Sequence, residues 1–110
     1  MSFHLLALRP QPGLDATLDK ARAMGLAITG LALSEIRAVA WDCPDPAGID
    51  GLLIGSANAL RHGGAALEDY RGMPAYAVGA STADAARAAG LIVAATGEGG
   101  LQQLLAHIAP

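Results

Sequence analysis

The residues best suited to chemistry in this chain are glycines and small hydroxyl or amide side chains that directly follow apolar runs. Gly55-Ser56-Ala57-Asn58 follows Leu52-Leu53-Ile54, and Gly79-Ala80-Ser81-Thr82 follows Tyr76-Ala77-Val78. A third turn, Thr96-Gly97-Glu98-Gly99-Gly100, follows Leu91-Ile92-Val93-Ala94. Each leads into a segment of helical character. A helix start carries about four unpaired N–H groups and roughly half a positive charge. Such turns hold carboxylates or phosphates, and glycine lets the ligand approach the backbone. The same residues are also ordinary N-caps, and the two roles are compatible.

Other chemistries lack their residues. Ser56 lies in no G-x-S-x-G frame, and no His/Asp pair is placed beside it. Gly97, Gly99 and Gly100 do not form the dinucleotide fingerprint, and the phosphate-loop pattern with its lysine is absent. The single cysteine, Cys43, excludes an internal disulfide. His4, His62 and His107 are scattered without metal-ligand spacing, so neither metal nor cofactor is expected. No residue is assigned a catalytic role. A net charge of −3 argues against a nucleic-acid partner, so a polyanion would be held by local donors. The apolar runs fall far short of the ~20 residues that span a bilayer. Met1-Ser2-Phe3-His4 shows no positive region ahead of an apolar one, and the chain reads as cytoplasmic.

The elements that must position these turns follow from periodicity. At 110 residues the chain suffices for one core, burying roughly 65% of its unfolded surface. It is 53% apolar but only 4% aromatic, so that core is small and aliphatic. His4 to Leu8 predicts a first strand, stopped by Arg9-Pro10-Gln11-Pro12-Gly13. Leu14, Leu18, Ala21 and Met24 share one helical face, with Gly25 closing the helix. Leu26–Thr29 is a second strand and Leu31–Val39 a third extended piece, with helix as the alternative. Trp41 to Gly48 is rich in proline and acid and reads as a hinge. Beyond it come the strand and helix at 51–62, a short helix at 65–70, a strand at 74–78, and a helix capped by Ser81 and Thr82. A strand at 91–94 and a final helix at 101–108 complete the order. This alternation implies an α/β fold, a parallel sheet flanked by helices, flavodoxin-like, with ligands at the carboxyl ends of the strands. Three segments result: a strand-helix-strand arm at 1–40, a connector at 41–50, and an α/β lobe at 51–110.

The wording of these turns resembles uroporphyrinogen-III synthase, the tetrapyrrole-pathway cyclase. Ser56-Ala57-Asn58-Ala59 after one strand and Val78-Gly79-Ala80-Ser81-Thr82-Ala83 after another carry most of the likeness. Arg9-Pro10, Ser34-Glu35-Ile36-Arg37 and Gly97-Glu98-Gly99-Gly100 fit in the same order, so the resemblance covers nearly the whole chain. It implies a lyase that closes linear hydroxymethylbilane into uroporphyrinogen III, inverting the last pyrrole ring and losing water without a cofactor. The substrate is a polycarboxylate, and such catalysis is chiefly orientation within preorganised dipoles.

On the resemblance, Arg9, Ser56, Ala57, Asn58, Gly79, Ser81 and Thr82 would grip propionates and acetates. Thr82 matches the threonine of the family's V-G-x-x-T turn. Leu8 stands where the family has threonine before its arginine, and Gly55 where it often has another. Tyr70 and Tyr76 do not match the tyrosine usually assigned as the acid. Family members are usually more than twice this length, with two similar α/β domains. The chain is therefore expected to match the first half and to have little cyclase activity alone. The arm is expected either to fold back on residues 50–110 or to exchange between two chains as a homodimer. The rival reading is a non-catalytic flavodoxin-like module that binds an anion or a partner.

Overall fold

The computed structural model describes residues 3–110, and the chain divides after Arg37 into two compact units. The architecture is α/β, with parallel strands in two small sheets flanked by helices.

In the first unit, β1 (His4–Leu8) and β2 (Ala27–Leu31) pair in parallel, His4 opposite Ala27 and Leu8 opposite Leu31. Helix α1 (Gly13–Ala23) connects them. Strand alternation decides which side it covers: Leu5, Ala7, Ile28 and Gly30 turn toward α1, while Leu6, Leu8 and Leu31 stay more than half exposed. Leu14 and Leu18, one turn apart, fill the interface with Ile28. Gly30 permits this approach, because a Cβ there would lie 2.7 Å from a Leu14 methyl and 2.8 Å from one of Leu18. Gly25, at φ +82°, ends the helix by sending its amide to the Arg22 carbonyl, while Leu26 N–H reaches Ala21.

The extended piece expected over Leu31–Val39 enters no sheet past Leu31, and residues 32–45 hold no regular element. Leu33 and Val39 are 71% and 72% exposed, so no apolar face exists there to drive pairing.

In the second unit, β3 (Leu52–Ile54), β4 (Pro74–Ala77) and β5 (Ile92–Thr96) form a parallel sheet in the order β3-β4-β5. Between β3 and β4 lie the short helix α2 (Asn58–His62) and a 3₁₀ turn (Ala65–Tyr70); α3 (Ala80–Ala88) joins β4 to β5, and α4 (Leu101–Ile108) follows. Ile54, Ala75 and Val93 face a core completed by Tyr70, Ala86 and Leu91. The zero exposure of Ala75 and Ala86 shows what the alanine-rich composition achieves: helix and sheet backbones pack closely. Leu53 and Tyr76 alternate to the opposite face, where they meet Leu105 and Ile108 of α4.

The segment expected as a connector is bonded into this second unit. Trp41 Nε1 donates to the Gly63 carbonyl at 2.9 Å, and the Tyr70 hydroxyl donates to the Pro44 carbonyl at 2.6 Å. Asp45 accepts from Ala47 N–H at 2.9 Å and starts a 3₁₀ turn at Pro46–Gly48.

Candidate functional site

Three adjacent parallel strands end on the same edge, so the turns after β3, β4 and β5 lie side by side. Two backbone bonds fix that order. Val78 N–H donates to the Ile54 carbonyl at 3.0 Å, and Gly97 N–H to the Ala77 carbonyl at 2.7 Å.

The first turn is partly self-satisfied. Ser56 Oγ accepts from Asn58 N–H at 3.2 Å, and Asn58 Oδ1 accepts from Arg61 Nη1 at 2.8 Å. Ala57 is 6% exposed and contributes only backbone, while the Ser56 side chain is exposed. Arg61 is the group that residue spacing did not single out: its guanidinium, held by Asn58, puts a cation beside the turn.

The second turn differs from the capping expected of it. Helix α3 begins at Ala80 with Gly79, at φ +89°, in the capping position, and no side chain caps it. Ser81 and Thr82 therefore sit inside the first turn. Thr82 is 5% exposed, on the side of α3 that carries Ala83 and Ala86 to the sheet, so its hydroxyl does not line an open cleft. Ser81 is exposed. What this turn presents is the backbone N–H set of Ala80, Ser81 and Thr82, since the first intrahelical bond runs from Ala83 N–H to Gly79.

The third turn uses Gly100, at φ +99°, to start α4. Gln103 Oε1 accepts from Gly99 N–H at 2.6 Å, and Gly97, Glu98 and Gly100 donate to the Ala77, Thr96 and Gly97 carbonyls, so the donors left here are the Leu101–Gln103 amides at the start of α4. Beside it, Thr96, Glu98, Gln103 and His107 contribute to a cavity of about 230 Å³. Glu98 adds a negative charge, so donor strength falls from the α3 turn toward β5.

Arg9 belongs to the first unit. Its guanidinium donates to Thr17 Oγ1 at 2.8 Å and to the Gly13 carbonyl at 3.4 Å, across the start of α1. The amides there are occupied: Asp15 N–H reaches Gln11 Oε1 at 3.0 Å and Leu14 N–H the Pro10 carbonyl at 3.1 Å. The site residues thus fall six in the second unit and one in the first.

Neither tyrosine stands at the turn edge. Tyr70 precedes β4, at the opposite end of the strands, and is 3% exposed. Burial first, then the neighbouring Cys43 thiol and the Asp45 and Asp69 carboxylates, push its hydroxyl pKa above the ordinary tyrosine value. Tyr76 lies on the α4 face of β4.

Fold and site together define an α/β protein with amide-rich turns aligned along one sheet edge. No known protein-family model matches the chain, and no match emerges among curated proteins.

Proposed function

We propose that the second unit binds a polycarboxylate tetrapyrrole at the carboxyl edge of its sheet, in the manner of a uroporphyrinogen-III synthase lobe acting on hydroxymethylbilane in the cytoplasm. The observation that carries this reading is the alignment of the Gly55, Gly79 and Gly97 turns by the Val78–Ile54 and Gly97–Ala77 bonds. Carboxylates spaced along a flexible bilane would meet successive N–H clusters, with Arg61 supplying the local cation. Orientation of the chain ends, not proton transfer by a cofactor, would then favour ring inversion over the spontaneous closure. Thermal shift with a uroporphyrin-type octacarboxylate against nucleotides tests binding, and the ratio of type III to type I product tests cyclisation. Stabilisation by nucleotides alone would overturn the reading.

A second reading is favoured by one observation: Tyr70 is enclosed and bonded to Pro44, and stands at the wrong end of the strands to act as an acid. A site of donors without a tyrosine acid beside them would serve as a binding module. The two readings separate on the isomer ratio, which a binding module leaves at the spontaneous value.

A further inference from the structure

The chain holds seven lysines and arginines, and the backbone around them differs in a way that bears on hydrolysis. An endoprotease takes its substrate as an extended strand over several residues, so it needs backbone free of hydrogen bonds and side chains clear of a core. Lys20 and Arg22 lie in α1, Arg61 in α2 and Arg87 in α3. Arg71 N–H donates to the Glu68 carbonyl at 3.2 Å and Gly72 N–H to the Gly90 carbonyl at 2.8 Å, so both sides of that peptide bond are held. Arg9 N–H donates to the Leu31 carbonyl at 3.4 Å, and the residue after it is Pro10, whose ring and missing N–H obstruct the leaving side of a protease cleft.

Arg37 is under none of these constraints. Residues 33–40 lie outside every helix and strand, and among the described residues none of their N–H or carbonyl groups takes part in a backbone hydrogen bond. All of them but Ile36 are exposed. The Arg37 side chain is 74% exposed and holds only Glu35, at 3.2 Å, a surface pair that contributes little and is readily given up. On its far side come Ala38-Val39-Ala40, small residues with no proline before Pro44. Arg37 is also the last residue of the first compact unit. The Leu14, Leu18 and Ile28 cluster lies wholly before it and the cluster around Ile54 and Ala75 wholly after it, so a cut there divides neither core.

We propose that the Arg37–Ala38 peptide bond is a processing site for a trypsin-like endoprotease, one whose specificity pocket offers a carboxylate to the guanidinium. Water is the co-reactant. A C–O bond to the water oxygen forms at the Arg37 carbonyl carbon as the C–N bond to Ala38 breaks, leaving a carboxylate on Arg37, and the two water protons leave with the Ala38 nitrogen as an ammonium group. The products are residues 1–37, which carry Arg9, and residues 38–110, which carry the three glycine turns.

Limited digestion of the full chain with trypsin under native conditions, read by intact mass, tests it. The first cut should fall after Arg37 and run at least tenfold faster than any other. Arg37→Gln and Ala38→Pro should each slow that cut at least tenfold while the circular dichroism spectrum stays that of the wild type. Leu104→Ala, which loosens the second unit, should speed cleavage after Arg61 and Arg87 and leave the rate after Arg37 unchanged, because nothing has to open there. A first cut at any other residue, a chain that resists trypsin until it is unfolded, or a rate after Arg37 that rises with Leu104→Ala would overturn the proposal.

Discussion

The amide of Val78 donates to the carbonyl of Ile54 at 3.0 Å, joining the residue after β4 to the last residue of β3. That bond extends the ladder by one step and brings the glycine turn at 79 alongside the one at 55. Gly79 then takes φ +89° where α3 starts.

Gly79→Ala should therefore cost about 1–3 kcal/mol, because φ +89° with ψ 157° is a conformation essentially reserved for glycine. No atom lies within 4 Å of the added methyl, so strain is the whole effect. Gly63→Ala should cost more, although Gly63 has an ordinary φ of −70°. Its methyl would collide with the Leu67 side chain and lie 2.7 Å from the Ala59 carbonyl oxygen, which is backbone and cannot swing away. Urea denaturation of the two variants ranks them.

Leu104→Ala should destabilise the second unit by about 2–4 kcal/mol, because a buried leucine leaves a cavity under α4. Leu101→Ala, at a half-exposed position on the same helix, should cost under about 1 kcal/mol. Thermal unfolding of both variants checks the contrast.

Tyr70 ties stability to alkaline pH. Its hydroxyl holds its proton more tightly when folded, so the unfolded chain ionises first, near pH 10, and stability falls as pH rises above that value. Below it the contribution is fully present. Tyr70→Phe should lower the melting temperature at pH 7 by removing the bond to Pro44, and should flatten the decline above pH 10 relative to wild type. Melting curves from pH 7 to 11 for both proteins provide the comparison.

Arg61→Ala should weaken binding of a uroporphyrin-type octacarboxylate about tenfold, roughly 1.4 kcal/mol, the scale of one charge-assisted contact near the surface. Arg87→Ala, on α3 and paired with Asp84 at 3.2 Å, should change it far less. Titration at low and moderate salt measures both affinities, and salt should narrow the difference.

The sequence pattern was informative where periodicity and glycine agree. His4–Leu8 and Leu101–Ile108 fall where alternation and helical spacing put them, and Gly25 and Gly90 each donate one of the two backbone bonds that close a helix, the next residue donating the other. Leu31–Val39 is not legible, because alanine and leucine suit strand and helix alike and the decision rests on whether a partner face exists. Along the site, the turns were visible as glycine after an apolar run, but the inward rotation of Thr82 was not. Gly79 rather than Ser81 caps α3, so the helix starts two residues earlier and carries Thr82 inside its first turn. Arg61 is not legible in the sequence, because its place beside the turn depends on the Asn58 amide three residues earlier, a contact between side chains with no motif of its own.

Amide chemical-shift mapping with a uroporphyrin-type octacarboxylate tests the central claim most directly. The account predicts saturable shifts at Ser56–Asn58, Ala80–Thr82 and Leu101–Gln103, with the amides at the start of α1 unmoved. Absence of shifts at saturating ligand, or shifts confined to the α4 face or the first unit, would contradict it.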